Sequence, residues 1–149
     1  MKIYFACALS ARKQRAGSAE FLYIYQCIVN HLKKYGEVLT EHLTQEDVFE
    51  FESKLIPAER FNRDIRWLEE ADLVVAEVSI HSTGIGYEIG RSERLGKKLI
   101  CLFNNKNGVP SAMISGNESL HLIKYDSIEE ALEKMDKRLS LYPFPALKK

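Results

Sequence analysis

Along this chain, short runs of consecutive apolar residues alternate with longer stretches in which apolar residues recur every three or four positions. Ile3 to Leu9 is apolar, with β-branched and aromatic members, and a polar stretch from Ser10 to Arg15 bounds it, which predicts a buried first strand. From Ser18 the residues Phe21, Leu22, Tyr25, Ile28, Val29 and Leu32 keep helical spacing, and Gly36 follows Lys33-Lys34 as a helix stop. Glu37 to Thr40 predicts a brief second strand, and the acidic, weakly periodic segment Glu41 to Ser53 a surface loop or short irregular helix placed to act as a lid. Pro57 opens a helix through Glu70 on the stripe Phe61, Ile65, Leu68, and the continuous apolar run Leu73 to Ala76 follows as a strand. Gly84-Ile85-Gly86 then leads into a helix from Tyr87 to Leu95 closed by Gly96, and a strand spans Leu99 to Phe103. Ser111 to Ile114 suggests a short helix and Leu120 to Tyr125 a last strand. Ser127 caps a final helix, with Glu130 at the capping-box position.

Strands alternate with helices five times without a repeat or a linker, so one doubly wound, flavodoxin- or Rossmann-like α/β domain over residues 1–149 is expected. The expected sheet is parallel and five-stranded, in the order 2-1-3-4-5. Ligands of such sheets bind at the rim formed by the carboxyl ends of the strands. A length of 149 residues and 46% hydrophobic content suffice for a core without metal or disulfide, and exclude a disordered chain.

Twenty-one Lys and Arg balance 21 Asp and Glu, so no net field draws in a nucleic acid polymer or an anionic membrane; a small molecule is the expected partner. Cys7, Cys27 and Cys101 lie in apolar runs without C-x-x-C spacing, as free thiols do in a reducing compartment, and no apolar run is long enough to span a membrane. A cytoplasmic location is expected. His31, His42, His81 and His121 show no metal-ligand spacing, so neither a metal nor any other cofactor is expected.

The most informative stretch is Ser82-Thr83-Gly84-Ile85-Gly86-Tyr87-Glu88, just past the third strand. Gly84 and Gly86 let backbone approach a ligand, the amides of a helix start suit an anion, and Ser82 can add a hydrogen bond. Glu88 is expected in the first helical turn, where a carboxylate also suits the helix dipole; spacing leaves both readings open. The third glycine of a dinucleotide fingerprint is missing. Asp64 is a second carboxylate, and if it faces Glu88 the pair follows the two-carboxylate logic of glycoside chemistry, with one pKa raised by the other.

Tyr4-Phe5, Val38 to His42, Asp64 to Glu77, Ser82 to Arg91 and Cys101 to Phe103 with Ser111 to Ile114 together resemble the nucleoside 2-deoxyribosyltransferase superfamily, most closely its 2'-deoxynucleoside 5'-monophosphate N-hydrolases. The resemblance implies N-glycosidic bond cleavage, with Glu88 as the nucleophile that forms a glycosyl-enzyme, Asp64 assisting at sugar and base, and Tyr4 beside the nucleophile. It further implies Ser82 at a 5'-phosphate, Met113 at the base, and Ser111 reaching a neighbouring subunit's site, hence a homodimer with shared active sites. His42 belongs to the matching Val38 to His42 stretch and is counted with the substrate-binding residues. In the first loop these hydrolases carry G-S-I-R-G-G-R, where this chain has Cys7 to Lys13. Ala8 and Ser10 replace a phosphate-binding serine and arginine, and Arg12, Lys13 or Arg15 are the cations placed to compensate. Base exchange between nucleosides and a non-catalytic nucleotide-binding module are the alternative functions.

Overall fold

The computed structural model describes residues 1–9 and 18–142. The strands are β1 (Lys2–Ala6), β2 (Glu37–Val38), β3 (Leu73–Glu77), β4 (Lys98–Asn104) and β5 (His121–Tyr125). They form one parallel sheet in the order 2-1-3-4-5, as expected. The helices are α1 (Ser18–Leu32), α2 (Val48–Ser53), α3 (Pro57–Glu70), α4 (Thr83–Arg94), α5 (Ala112–Ser115) and α6 (Ile128–Leu139). Glu41–Thr44 and Asn105–Asn107 add single 3₁₀ turns. Among the described residues no helix is long and apolar enough to cross a membrane.

The two-residue period of a strand sorts the core into two layers. Ile3 and Phe5 of β1, with Leu73, Val75, Ile100 and Leu102, pack under α1 and α6. Tyr4 and Ala6, with Val74, Ala76, Cys101 and Phe103, pack under α3 and α4. Parity in β1 therefore sends Tyr4 to the same side of the sheet as Asp64 and Glu88. Parity in β3 places Glu77, in step with Leu73 and Val75, on the opposite side. There the buried Glu77 carboxylate accepts from Ser79 Oγ and, at 3.2 Å, from Tyr125 Oη, and burial pushes its pKa up to about 7.

Three expectations change in detail. The second strand ends at Val38 rather than Thr40, because the Thr40 hydroxyl takes over the pairing: Oγ1 accepts from Phe5 N at 2.9 Å and donates to Phe5 O at 2.8 Å. Gly36 does not stop α1 in a left-handed conformation; Met1 packs on it so closely that a Cβ would lie 2.1 Å from the Met1 carbonyl oxygen. Gly96, with φ of 65°, does supply the left-handed residue after α4. Cys7 and Cys101 are buried, whereas Cys27 is half-buried.

Candidate active site

The first difference from the sequence reading concerns where α4 begins. Ser82 is its N-cap, with Oγ accepting from Ile85 N at 3.4 Å, so both glycines lie inside the first turn and Glu88 falls in the second. A carboxylate there is too far along to be explained by helix-end electrostatics, which fade after one turn. What fixes Glu88 is the burial of Ile85 and Ile89 against the sheet, with buried Ser92 donating its hydroxyl to Glu88 O at 2.6 Å. The glycines adopt no unusual backbone, and a Cβ on Gly86 would meet nothing within 4 Å; here glycine leaves open space beside the helix.

A cavity of about 310 Å³ opens between β1, α3 and α4, with Tyr4, Asp64, Glu88, Glu52, Arg60 and Arg63 on its wall. That is the small end of the range for ligand pockets. Tyr4 Oη donates to Glu88 Oε1 at 3.0 Å, leaving the second carboxylate oxygen without a hydrogen bond among the described residues. Burial raises the Glu88 pKa to about 7, with Asp64 adding to the rise and the Tyr4 hydrogen bond opposing it. Asp64 therefore raises the Glu88 pKa in the direction expected for facing carboxylates, with desolvation the larger cause. Burial, then the Glu88 and Asp64 charges, lift the Tyr4 phenol far above its ordinary value, so it stays a donor. Asp64 is also raised by burial, against the pull of Arg63.

Behind Asp64 stands a charged cluster that the sequence did not reveal. Arg63 donates through Nε to Asp64 Oδ1 at 2.8 Å, and through Nη1 and Nη2 to Glu52 at 2.8 and 3.3 Å. Glu52, read earlier as part of an exposed lid, is buried; burial alone would raise its pKa, but Arg63 and His42 outweigh that and hold it below the ordinary value. His42 Nε2 lies 2.9 Å from Glu52 Oε1, and its ring packs against Phe51 and Trp67. His42 therefore braces this cluster and is not on the cavity wall. The available signal was the i, i+3, i+4 set Arg60, Arg63 and Asp64 on a helix whose apolar stripe is thin, since Phe61 is exposed.

The other expected residues lie elsewhere. Ser82, Gly86, Ser111 and Met113 line a second cavity of about 470 Å³, floored by Val78, Ile80, Ile85 and Ile89. Gly84 lines neither, and Met113 is 80% exposed. Within one chain the structure brings Tyr4, Asp64 and Glu88 together, but not with Ser82 or Ser111. Arg12 lies outside the described residues. Ala8, at the position of the missing serine, is buried and apolar. Among the described residues, no three His, Cys, Asp or Glu side chains are grouped to hold a metal ion.

Comparison with known proteins adds the following. The family profile described as nucleoside 2-deoxyribosyltransferase matches residues 3–137. The 5-hydroxymethyl-dUMP N-hydrolase of Mus musculus is 41% identical over 123 residues, 80% of this chain and 71% of that protein. That of Esox lucius is 38% identical over 149 residues, 94% of this chain and 99% of that protein. Among solved structures, a CMP N-glycosidase of Clostridium botulinum superposes with a TM-score of 0.64, covering 91% of this chain and 99% of that one; at 21% identity it bears on the fold alone.

Proposed function

The chain belongs to the nucleoside 2-deoxyribosyltransferase family, and from that premise we propose that it hydrolyses the N-glycosidic bond of a (deoxy)nucleoside 5'-monophosphate through a covalent intermediate on Glu88. The products are the free base and (deoxy)ribose 5-phosphate. The observation that carries the reading is the meeting of Glu88, Tyr4 and Asp64 in one cavity, with Glu88 holding one oxygen free of hydrogen bonds among the described residues. In this mechanism the free Glu88 oxygen attacks the anomeric carbon, the bond to the base breaks, and water later releases the sugar. Tyr4 keeps the nucleophile aimed. Asp64, on the opposite wall, orients a sugar hydroxyl or serves the proton needs of the departing base.

Hydrolysis is preferred over base exchange because the curated relatives are named N-hydrolases. Ser111 and Met113 line a cavity other than the Glu88 cavity of their own chain, which supports their serving a neighbouring subunit in a homodimer. The three cysteines, none of them in a disulfide, suit a cytoplasmic enzyme. Ser82, and Arg12 in the first loop, are assigned to the phosphate.

The test is chromatographic detection of free base after incubation with deoxynucleotides, ribonucleotides and the matching nucleosides. The wild type should release base, Glu88→Ala should lose at least about a thousandfold, and rapid quenching should leave a sugar-phosphate adduct on the Glu88 peptide. If wild type and Glu88→Ala are equally inert, or equally active, the assignment fails.

A further inference from the structure

Arg60 is the cation on the Glu88 cavity wall whose donors are not consumed. Its Nε is buried without a hydrogen-bond partner among the described residues. The carboxylate nearest to it, Glu52, lies 4.0 Å away and is already engaged by both Nη atoms of Arg63 and by His42. Arg63, by contrast, is fully occupied by Glu52 and Asp64. The side chain as a whole is 43% exposed, so its outer N–H groups remain open to a ligand, and a carbonyl acceptor there would meet a guanidinium that no carboxylate saturates.

Its position indicates which part of a substrate it meets. Arg60 and Asp64 are i and i+4 on α3, so Arg60 stands one helical turn, about 6 Å, from Asp64 on the same side. Around it the cavity is bordered by Leu43 and Pro57, suited to a flat ring. Ser82, the hydroxyl assigned above to the phosphate, lies at the other cavity, on another side of α4. With the anomeric carbon at Glu88, the base and not the phosphate extends toward Arg60.

We propose that Arg60 reads the leaving base, donating to a ring carbonyl oxygen and thereby selecting oxo-substituted bases over adenine. The inference rests on the glycosidic reading given above. As the bond between the anomeric carbon and the base nitrogen breaks, the electron pair departs with the base and spreads onto its carbonyl oxygen. The guanidinium stays protonated and stabilises that charge, which makes its contribution larger in the transition state than in the bound substrate. Adenine offers no carbonyl oxygen for this contact.

The experiment compares wild type, Arg60→Met and Arg60→Lys on dUMP, dAMP and the two corresponding deoxynucleosides. Arg60→Met should lose about 10- to 100-fold in kcat/KM on dUMP with kcat itself reduced, lose less than about threefold on dAMP, and lose as much on deoxyuridine as on dUMP. Arg60→Lys should recover part of the loss, and an unchanged Tm shows that the fold is intact. A loss confined to the phosphorylated substrates overturns the proposal in favour of a phosphate contact. Equal losses on dUMP and dAMP, or no loss, overturn it as well. A wild type inert on every nucleotide removes the glycosidic reading itself and this assignment with it, an outcome distinct from an active wild type with an indifferent Arg60.

Discussion

Replacing Glu88 with Gln keeps the shape of the side chain and an oxygen for the Tyr4 hydroxyl, but removes the ionisable group. Burial raises the folded-state pKa of Glu88 from 4.5 to about 7. Between those values the folded chain holds a proton that the unfolded chain has released, so stability falls as pH rises through the window. Below pH 4.5 the carboxyl is neutral in both states and costs nothing. Each pH step inside the window removes about 1.4 kcal/mol, which sums to about 3 kcal/mol by pH 8. Glu88→Gln should therefore match the wild type near pH 4.5 and exceed it at pH 8 by about 3 kcal/mol, or about 6–12 °C in Tm for a domain of this size. Glu77 titrates over the same range for the same reason, so the informative quantity is the difference between variant and wild type at each pH, in which Glu77 cancels. Thermal unfolding followed by circular dichroism from pH 4.5 to 8.5 measures it. A difference that does not grow with pH, or a variant less stable than wild type at pH 8, would refute the reasoning that Glu88 sits desolvated in its cavity.

Other outcomes follow from the same structure. On the proposed mechanism Glu88 must be ionised to attack, so kcat/KM should rise with pH through about 7. Tyr4→Phe removes the hydrogen bond that favours the anion, so it should move that rising limb to higher pH and cost about tenfold at pH 7; an unmoved limb in a pH–rate profile would show that Tyr4 does not act on Glu88. Thr40→Val strips the buried partners from Phe5 N and O and should destabilise by about 2–4 kcal/mol in urea titration, whereas a loss under about 0.5 kcal/mol would mean water replaces the hydroxyl.

How far the sequence revealed this arrangement depends on which physical signal each residue carries. The alternation of strands and helices made the parallel five-stranded sheet readable in the sequence, and the helical spacing that carries Asp64 was readable too, whereas the place of Tyr4 beside Glu88 was implied by the family resemblance. The start of α4 was misjudged because Gly84 and Gly86 have poor helix propensity, while the Ser82 cap and the packing of Ile85 override it. The Glu52, Arg63 and His42 cluster was hidden for a different reason: the segment before α3 has little periodicity, and a charge buried by a long-range partner looks in sequence like any exposed charge. The separation of Ser82 and Ser111 from Glu88 depends on the side of α4 that each cavity meets, which strand and helix periods do not encode.

Helix α4 forms a wall of both cavities, with Ile85 and Ile89 on one and Glu88 on the other. For protein engineering this makes α4 a poor target, because a mutation that rotates it disturbs two chambers at once. The exposed turn of α3 around Pro57 and Arg60 borders only one. Libraries built there can be screened for new acceptance of modified compounds while the Glu88 backbone keeps its bond from Ser92 and the Glu88 carboxylate its bond from Tyr4.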